Sequence, residues 1–303
     1  MKAKSYEIDM CNGPLFPKIL AFSIPLMLSG ILQLLFNAAD MIVVGRFAGN
    51  TALAAVGANA ALINLLTNLF IGFSVGANVL VAQYYGAGKE RDMIETVHSA
   101  IVLSLLCGGI LLVLGILAAP QILILMGTPE DVLGQAVLYI RIYFAGIPVL
   151  LLYNFGSSIL RAVGDTKRPL YYLMAAGVIN VVLNLIFVIG CGLGVAGVAL
   201  ATVISQCISA LLVLRCMMHM EGGCRVELAK LRINRGKMLQ IMRIGFPAGL
   251  QGTVFSLSNV LIQSSVNSFG SVAVAGNTAG QNIEGFIYMA MNTFHQATIS
   301  FTS

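Results

Sequence analysis

Long apolar runs without a charged residue dominate this sequence and restrict the folds that it can adopt. Residues 169–214 and 244–283 contain no Asp, Glu, Lys or Arg. Because a helix needs about 20 apolar residues to cross a bilayer, each run can cross twice with a turn between. Charged residues make up 10% of the chain, against about 25% in soluble domains. The sequence therefore predicts an all-α, polytopic membrane helix bundle.

The apolar runs divide into eight expected helices, separated by short polar or glycine-rich turns. The first run follows basic residues, as in a signal peptide, but it is too long for one and contains Asp40. We therefore expect it to remain as the first helix. The expected spans are residues 18–45, 52–85, 96–119, 133–157, 168–189, 195–216, 240–267 and 273 to the end.

The basic residues predict the orientation of these helices. If the N-terminus is cytoplasmic, fifteen of the 17 Lys and Arg residues fall on the inner side, and only Arg46 and Arg141 fall outside. This bias follows the positive-inside rule. We expect a multi-pass protein of the plasma (inner) membrane with a cytoplasmic N-terminus. Since the basic residues lie in short loops between apolar runs, they do not indicate nucleic-acid binding.

An internal repeat connects the first and seventh expected helices. The matched pairs share an offset of 222 residues: Pro25 and Pro247, Gly30 and Gly252, Asn37 and Asn259, Phe47 and Phe269. Because both copies start from the cytoplasmic side, the repeat is parallel, as in some transporters. We expect a complete six-helix N-lobe (1–216), a cytoplasmic linker (217–238) and the first two helices of a C-lobe (239–303). This organisation predicts that the second lobe is truncated.

Asp40 is the strongest candidate for a functional residue in the predicted N-lobe. A charged side chain inside a membrane helix costs about 2.5–3.5 kcal/mol on insertion scales, so such residues mark functional sites. Gln33, Asn37 and Asp40 have the spacing i, i+4, i+7 and therefore share one helix face. The alternative is a hydrogen-bonded residue at the end of the helix, only six positions before Arg46.

Further polar residues within apolar helices are candidates for lining a central substrate cavity. Glu284, the second intramembrane acid, belongs to a polar stripe on the eighth helix and could bind a cationic substrate. The alternative for Glu284 is an acid neutralised by a neighbour such as His295 or by a residue of the missing helices. Interhelical hydrogen bonding is the alternative for each of the others. The expected cavity residues are Gln33, Asn64, Asn68, Asn259, Gln263, Gln281, Glu284 and His295.

Several segments together resemble the multidrug and toxic compound extrusion (MATE) transporters. They are the first helix with Pro25 and Asp40, residues 75–88, 160–169 and 194–202, Phe246-Pro247 and residues 295–300. The resemblance covers essentially the whole chain. It implies a V-shaped bundle of two six-helix lobes that exports organic cations or drugs by antiport against H⁺ or Na⁺. It implies no cofactor beyond this coupling ion, and we expect a monomer.

The resemblance also assigns roles to residues of the predicted N-lobe. Asp40 matches the acid of the first helix, while Asn180 and Asn184 match polar positions of the fifth helix. Some members carry an acid in the fifth helix where this chain has Asn, which weakens a two-carboxylate sodium site. Asp40, Asn180 and Asn184 can still bind Na⁺, because hard cations prefer oxygen ligands. Asn37 and Thr202 complete the expected coupling site.

Two other functions were weighed against drug export. A related exporter of a lipid-linked or polar metabolite is the first alternative, although no Arg or Lys lies at the centre of an apolar helix to bind pyrophosphate. An enzyme is not expected, because no convergent acid, base or metal ligands are visible. Residues 192–197 match GxGxxG, but they follow a membrane helix rather than a strand and do not predict nucleotide binding.

Overall fold

The computed structural model describes residues 6, 8, 10, 13–220, 222–227, 231–267 and 271–303. All regular structure in these residues is helical, as the apolar runs predict. A 3₁₀ turn, Gly222–Cys224, lies between the seventh and eighth α-helices. The α-helices are α1 (Leu15–Val43), α2 (Asn50–Gly86), α3 (Glu90–Leu125), α4 (Glu130–Ala145), α5 (Ile147–Ala162), α6 (Lys167–Asn184), α7 (Gly194–His219), α8 (Arg235–Asn267) and α9 (Ser271–Thr302).

The lengths and hydropathies of these helices make the chain a multi-pass membrane protein. Among the described residues, five helical segments are long and apolar enough to cross a membrane, and the bent α4–α5 pair can make a sixth crossing. The five are α1, α2, α3, α6 and α7, where α1 and α6 include short π-helical extensions. Helices α8 and α9 contain 33 and 32 residues, but they are more polar and fall outside this group.

The fourth expected helix, residues 133–157, is not continuous, and this prediction was wrong. Helix α4 ends at Ala145 and α5 begins at Ile147, with a bend of 47° between them. Pro148 lies in the first turn of α5, where its missing N–H leaves no helical hydrogen bond unmade. Gly108 of α3 packs so closely against Pro148 that a Cβ would overlap the Pro148 backbone. The bend is thus built around a proline and packed against α3.

Close glycine contacts join the expected N-lobe to the helices that follow it. Gly72 and Gly76 of α2 lie against the backbone of α8 at Gly245 and Gly249, and none of the four has room for a Cβ. Helix α1 packs against α9 in the same way that α2 packs against α8. A two-fold rotation that carries α1 onto α8 and α2 onto α9 exchanges these two contacts. This is the pattern expected of a parallel repeat; the lobe boundaries themselves stay a prediction.

One end of the bundle, here called the basic end, carries the connections α2–α3, α5–α6 and α7–α8. The N-terminal segment lies on the α5–α6 connection, where the Ile8 N–H donates to the Gly164 carbonyl at 3.3 Å. The Arg168 guanidinium lies 4.9 Å from the centre of the Tyr6 ring and 3.3 Å from the Asp165 carboxylate. Burial raises the pKa of Asp165, and the hydrogen bond from the Arg168 backbone opposes that rise.

A buried lysine also closes the basic end between α2, α3 and α8. The Lys237 ammonium lies 2.7 Å from an Asp92 carboxylate oxygen and donates to the Tyr84 hydroxyl at 2.7 Å. It also lies 4.0 Å from the centre of the Tyr84 ring. Because Lys237 belongs to α8, these contacts fasten α8 to α2 and α3 at this end.

Candidate functional site

Asp40 occupies the point where α1, α6 and α7 meet. Its side chain is half-buried, and one carboxylate oxygen accepts a hydrogen bond from the Asn184 amide of α6. The Thr202 hydroxyl of α7 also lies within hydrogen-bonding reach of the carboxylate. The four predicted residues Asp40, Asn180, Asn184 and Thr202 are therefore brought together as one polar cluster, here called the Asp40 cluster.

The hydrogen bonds of the Asp40 cluster form a directed chain. The Asn184 amide nitrogen donates to Asp40 and also to Asn180 Oδ1 at 3.2 Å. Asn180 donates to Thr202 Oγ1 at 3.5 Å, and the Thr202 hydroxyl donates to the Val198 carbonyl at 3.0 Å. The Asn184 N–H at one end of this chain holds the Asp40 carboxylate as an acceptor.

One acceptor of the Asp40 cluster has no partner. Asn184 is fully buried, and its Oδ1 makes no hydrogen bond within the described part of the chain. A buried acceptor left unpaired costs about 1–3 kcal/mol. A proton carried by Asp40 or a bound cation would relieve this cost, so the arrangement is chemically suited to take up one positive charge.

Two π-helical segments flank the Asp40 cluster. The chain changes from α1 to a π-helix over Val44–Ala48, four residues after Asp40, and from α6 to a π-helix over Leu185–Gly190, directly after Asn184. The two segments contact each other. Short π-helical turns inside helices are frequent at functional sites, because the wider turn displaces the side chains before and after it. The Asp40 cluster therefore lies where the backbones of α1 and α6 change from α-helix to π-helix.

Tyrosines of α4 complete the surroundings of Asp40, and the sequence reasoning missed them. Tyr139 and Tyr143 stack with their ring centres 6.0 Å apart. Both tyrosines lie close enough to Asp40 to interact electrostatically with its carboxylate. Tyr143 also hydrogen-bonds with Gln206 of α7. Their i, i+4 spacing was a visible signal, but two aromatic residues at helical spacing usually indicate packing alone.

The other expected residues of the first helix do not join the cluster. Asn37 and Gln33 are exposed, and neither makes a hydrogen bond with another described residue. They share the face of Asp40 but lie one and two turns further along α1, away from Asn180 and Asn184. The structure therefore separates Asp40 from two exposed polar residues on the same helix.

The expected cavity residues are spread along the contact between the two predicted lobes. Asn68 of α2 donates to Ser256 of α8 at 2.8 Å, which makes it a bridge between these helices. The side chains of Gln263 and Gln281 lie outside the described residues. Exposed positions among the rest are Asn64, Asn259, Glu284 and His295. Glu284 and His295 are not paired with each other within the described residues.

Membrane-spanning helices that converge on an internal carboxylate define the general class of this protein. In soluble proteins such a cluster would have water around it, whereas here it lies between helices of the membrane bundle. Such residues mark ion or substrate pathways. The fold and the Asp40 cluster together define a polytopic helical membrane protein with a half-buried carboxylate between its helices.

Comparison with known proteins identifies the family. The family model MatE matches residues 25–186, which is more than half of the chain, and the chain therefore belongs to this family. The probable multidrug resistance protein YoeA of Bacillus subtilis is 34% identical over 88% of this chain and 59% of its own length. The probable multidrug resistance protein YpnP of the same organism is 30% identical over 92% of this chain and 62% of its own length.

A solved structure supports the fold over the full chain. A MOP superfamily transporter from Pyrococcus furiosus aligns with a TM-score of 0.89 and 26% identity, covering 100% of this chain and 67% of that one. The present chain spans about 60% of the length of the two Bacillus relatives. The family and the helical architecture are thus shown, and the MATE resemblance of the sequence is confirmed.

Proposed function

We propose that this chain belongs to a secondary active efflux transporter that exports organic cations or drugs by antiport against H⁺ or Na⁺. The observation that carries the proposal is the Asp40 cluster, a half-buried carboxylate held by two asparagines and a threonine between membrane helices. The two Bacillus relatives, whose names describe probable multidrug resistance proteins, support the substrate class.

Asp40 would couple the ion to the substrate by holding one positive charge at a time. When Asp40 takes up a proton, its hydroxyl can donate to Asn184 Oδ1, the acceptor that lacks a partner. A sodium ion would instead use the same carboxylate and amide oxygens. Either event cancels the negative charge that attracts an organic cation. Ion and drug then favour different conformations, which antiport requires.

Alternating access would open and close the basic end. Lys237, Asp92 and Tyr84 join α8 to α2 and α3 there. Deeper in the bundle, Asn78 of α2 donates to the Ser158 carbonyl at 2.8 Å and accepts from Ser300 of α9 at 3.2 Å. The Ser300–Asn78 bond joins α9 to α2 and so crosses the predicted lobe boundary, whereas the Asn78–Ser158 bond lies within the predicted N-lobe. The Lys237 contacts and the Ser300–Asn78 bond would break when this end opens. We therefore assign them to the closed state of this gate.

We place the protein in the plasma (inner) membrane with its N-terminus in the cytoplasm. The basic residues of the α2–α3, α5–α6 and α7–α8 connections lie at the same end of the bundle as the N-terminal segment. This agrees with the positive-inside bias of the sequence. The gate formed by Lys237 would then face the cytoplasm. We expect the working unit to be a monomer without an enzymatic activity of its own.

Gradient-driven efflux tests the proposal. In inverted membrane vesicles containing the protein, a fluorescent organic cation is followed under an imposed pH gradient and then under an imposed Na⁺ gradient. We expect one gradient to drive uptake into the vesicles, and Asp40→Asn to abolish this uptake while the protein remains in the membrane. Asp131→Asn makes the same substitution at an exposed aspartate in the first turn of α4, outside the Asp40 cluster, and serves as the control, with transport near wild type.

The outcome also separates the proposal from the polar-metabolite alternative. A relative from Shewanella oneidensis, 25% identical over 96% of this chain, is named a FAD transporter, so flavin dinucleotide is the competing substrate to test. Flavin transport without cation transport would replace the proposed substrate class. Unchanged cation transport in Asp40→Asn would show that Asp40 is structural and would contradict the coupling mechanism.

A further inference from the structure

A cavity at the basic end carries three arginines in its lining, and no residue of the Asp40 cluster lines it. Its volume is about 630 Å³, and its walls come from the start of α3 and from the connection between α7 and α8. Arg225, Arg232 and Arg235 line it together with Ile94 and Ile233. The proposed transport mechanism uses none of these residues.

The three arginines of this cavity outnumber the two glutamates, Glu95 and Glu227, that line it with them. All three are exposed, and none makes an ion pair or hydrogen bond within the part of the chain that the structure describes. The acids that line the cavity are engaged elsewhere: Glu95 accepts from Arg91 at 3.4 Å and from Asn234 at 2.8 Å, and Glu227 has an interaction of its own. The guanidinium groups are therefore available to an anion from outside.

Hydrogen bonds from buried residues hold the walls of the cavity in place. His98 Nε2 accepts from the Glu227 backbone N–H at 3.3 Å, so the ring proton is on Nδ1, which lies 2.8 Å from the Ile94 carbonyl. Ser99 Oγ accepts from the Asn234 backbone at 3.1 Å. Both bonds fasten the α7–α8 connection to α3. The arginines thus extend from a connection that is already anchored, which lowers the ordering cost of binding.

The entrance of the cavity combines charge with exposed apolar side chains. Of the lining residues, Ile94 is 38% exposed and Ile233 is 47% exposed. These apolar side chains add no binding energy for a free inorganic anion, whereas they can pack against the apolar part of an amphiphile. Basic pockets at the ends of membrane helices bind the phosphate groups of anionic lipids. We propose that this cavity binds the phosphate headgroup of an anionic membrane lipid through Arg225, Arg232 and Arg235.

In this arrangement the apolar residues contact the lipid beside its headgroup. The guanidinium groups bind the phosphate oxygens, for which their planar donor pattern is well suited. Ile94 and Ile233 then pack against the glycerol and the first acyl carbons. Because the site joins α3 to the connection that leads into α8, a bound lipid braces the two predicted lobes against each other.

Thermal unfolding in detergent tests this site independently of transport. Dioctanoyl phosphatidylglycerol is titrated against the purified 303-residue chain, with dioctanoyl phosphatidylcholine and inorganic phosphate as comparison ligands. We expect phosphatidylglycerol alone to raise the unfolding midpoint. Arg225→Gln/Arg232→Gln should weaken its apparent affinity about thirtyfold, because each basic residue contributes about a factor of five to anionic lipid attraction. The matched control, Arg46→Gln/Arg141→Gln, removes two exposed arginines at the opposite end and should keep the wild-type affinity.

Each other result would overturn the proposal or part of it. Equal weakening in both double variants would show a general charge effect. A full response to inorganic phosphate would assign the site to a soluble anion rather than to a lipid, and no response to any ligand would exclude the site. The wild-type chain also gives a readout that needs no variant, since rising sodium chloride should reduce the phosphatidylglycerol response by screening.

Discussion

At the scale of single residues, Asn184 determines how Asp40 is held. It donates to both Asp40 and Asn180, and its own oxygen is the unpaired acceptor of the cluster. Asn184→Ala removes a donor to a carboxylate, worth about 1.5–3 kcal/mol. We expect the concentration of coupling ion that gives half-maximal transport to change at least tenfold. Measuring efflux rate against ion concentration checks this prediction, and unchanged ion dependence would contradict it.

Gly164 tests a second residue-scale claim, the docking of the N-terminal segment. It has a φ of +86°, and a Cβ at this position would overlap the Ile8 carbonyl. Gly164→Ala should lower the unfolding midpoint more than Gly127→Ala, whose φ is +71° and whose surroundings are open. The left-handed conformation costs both variants about 1–2 kcal/mol, so the difference between them reports the contact with Ile8. Equal midpoints for the two variants would exclude that contact as a source of stability.

At this scale the sequence predicted part of the candidate site. Asp40 could be found because it is a charged side chain in an otherwise apolar helix. The resemblance to the MATE transporters singled out Asn180 and Asn184, and Thr202 was a further candidate. Tyr139 could not be assigned, since an aromatic residue in an apolar helix has no distinguishing pattern until a neighbour such as Asp40 is placed beside it. The roles of all these residues in coupling stay a prediction until transport is measured.

At the scale of helices, the contact of α2 with α8 depends on the absence of side chains. A Cβ at Gly76 would overlap the α8 backbone at Ile241 and Gly245, whereas one at Gly109 of α3 would meet nothing within 4 Å. Gly76→Ala should therefore destabilise the protein by about 1–3 kcal/mol through overpacking. Gly109→Ala should be neutral or stabilising, because Ala favours helix by about 1 kcal/mol. Unfolding midpoints of both variants in detergent check this difference, and equal midpoints would contradict it.

The ion pair of Lys237 with Asp92 gives a prediction for the same pair of helices. Lys237→Met removes the charge that joins α8 to α3 while keeping an unbranched side chain. We expect the basic end to open more often, so that a cysteine introduced by Ser300→Cys in a cysteine-free background reacts several times faster with a maleimide. Ser300 is only 5% exposed in the closed arrangement. Lys167→Met, which removes an exposed lysine, is the control, and equal rates in the two variants would remove Lys237 from the gate.

The break between α4 and α5 shows what helix-scale sequence reasoning misses. Apolar periodicity continues through residues 133–157, so it predicts one helix, and only Gly146 and Pro148 mark the bend. Whether a proline bends or interrupts a helix depends on its neighbours: Pro25 and Pro247 lie inside continuous helices, whereas Pro148 begins one. The packing of Gly108 against Pro148 is a tertiary contact that a single sequence does not reveal.

At the scale of the whole molecule, the repeat and the charge bias predicted the class of fold. The family match and the similar Pyrococcus furiosus structure confirm a MATE-type helical membrane protein. Helix α1 contacts α9, and α2 contacts α8. A two-fold rotation that exchanges the two repeats would convert one contact into the other, which supports the predicted repeat. The coupling ion could not be predicted, because proton and sodium sites both use carboxylate and amide oxygens.

The central claim is that Asp40 holds the coupling ion when no substrate is bound and releases it when substrate binds. The most direct test is ion release from the purified chain: an organic cation is added in weakly buffered solution, and H⁺ and Na⁺ activities are recorded together. The account predicts release of about one ion per bound substrate molecule, of one kind only, and none from Asp40→Asn. Substrate binding without release from the wild-type chain, or equal release from Asp40→Asn, would contradict it.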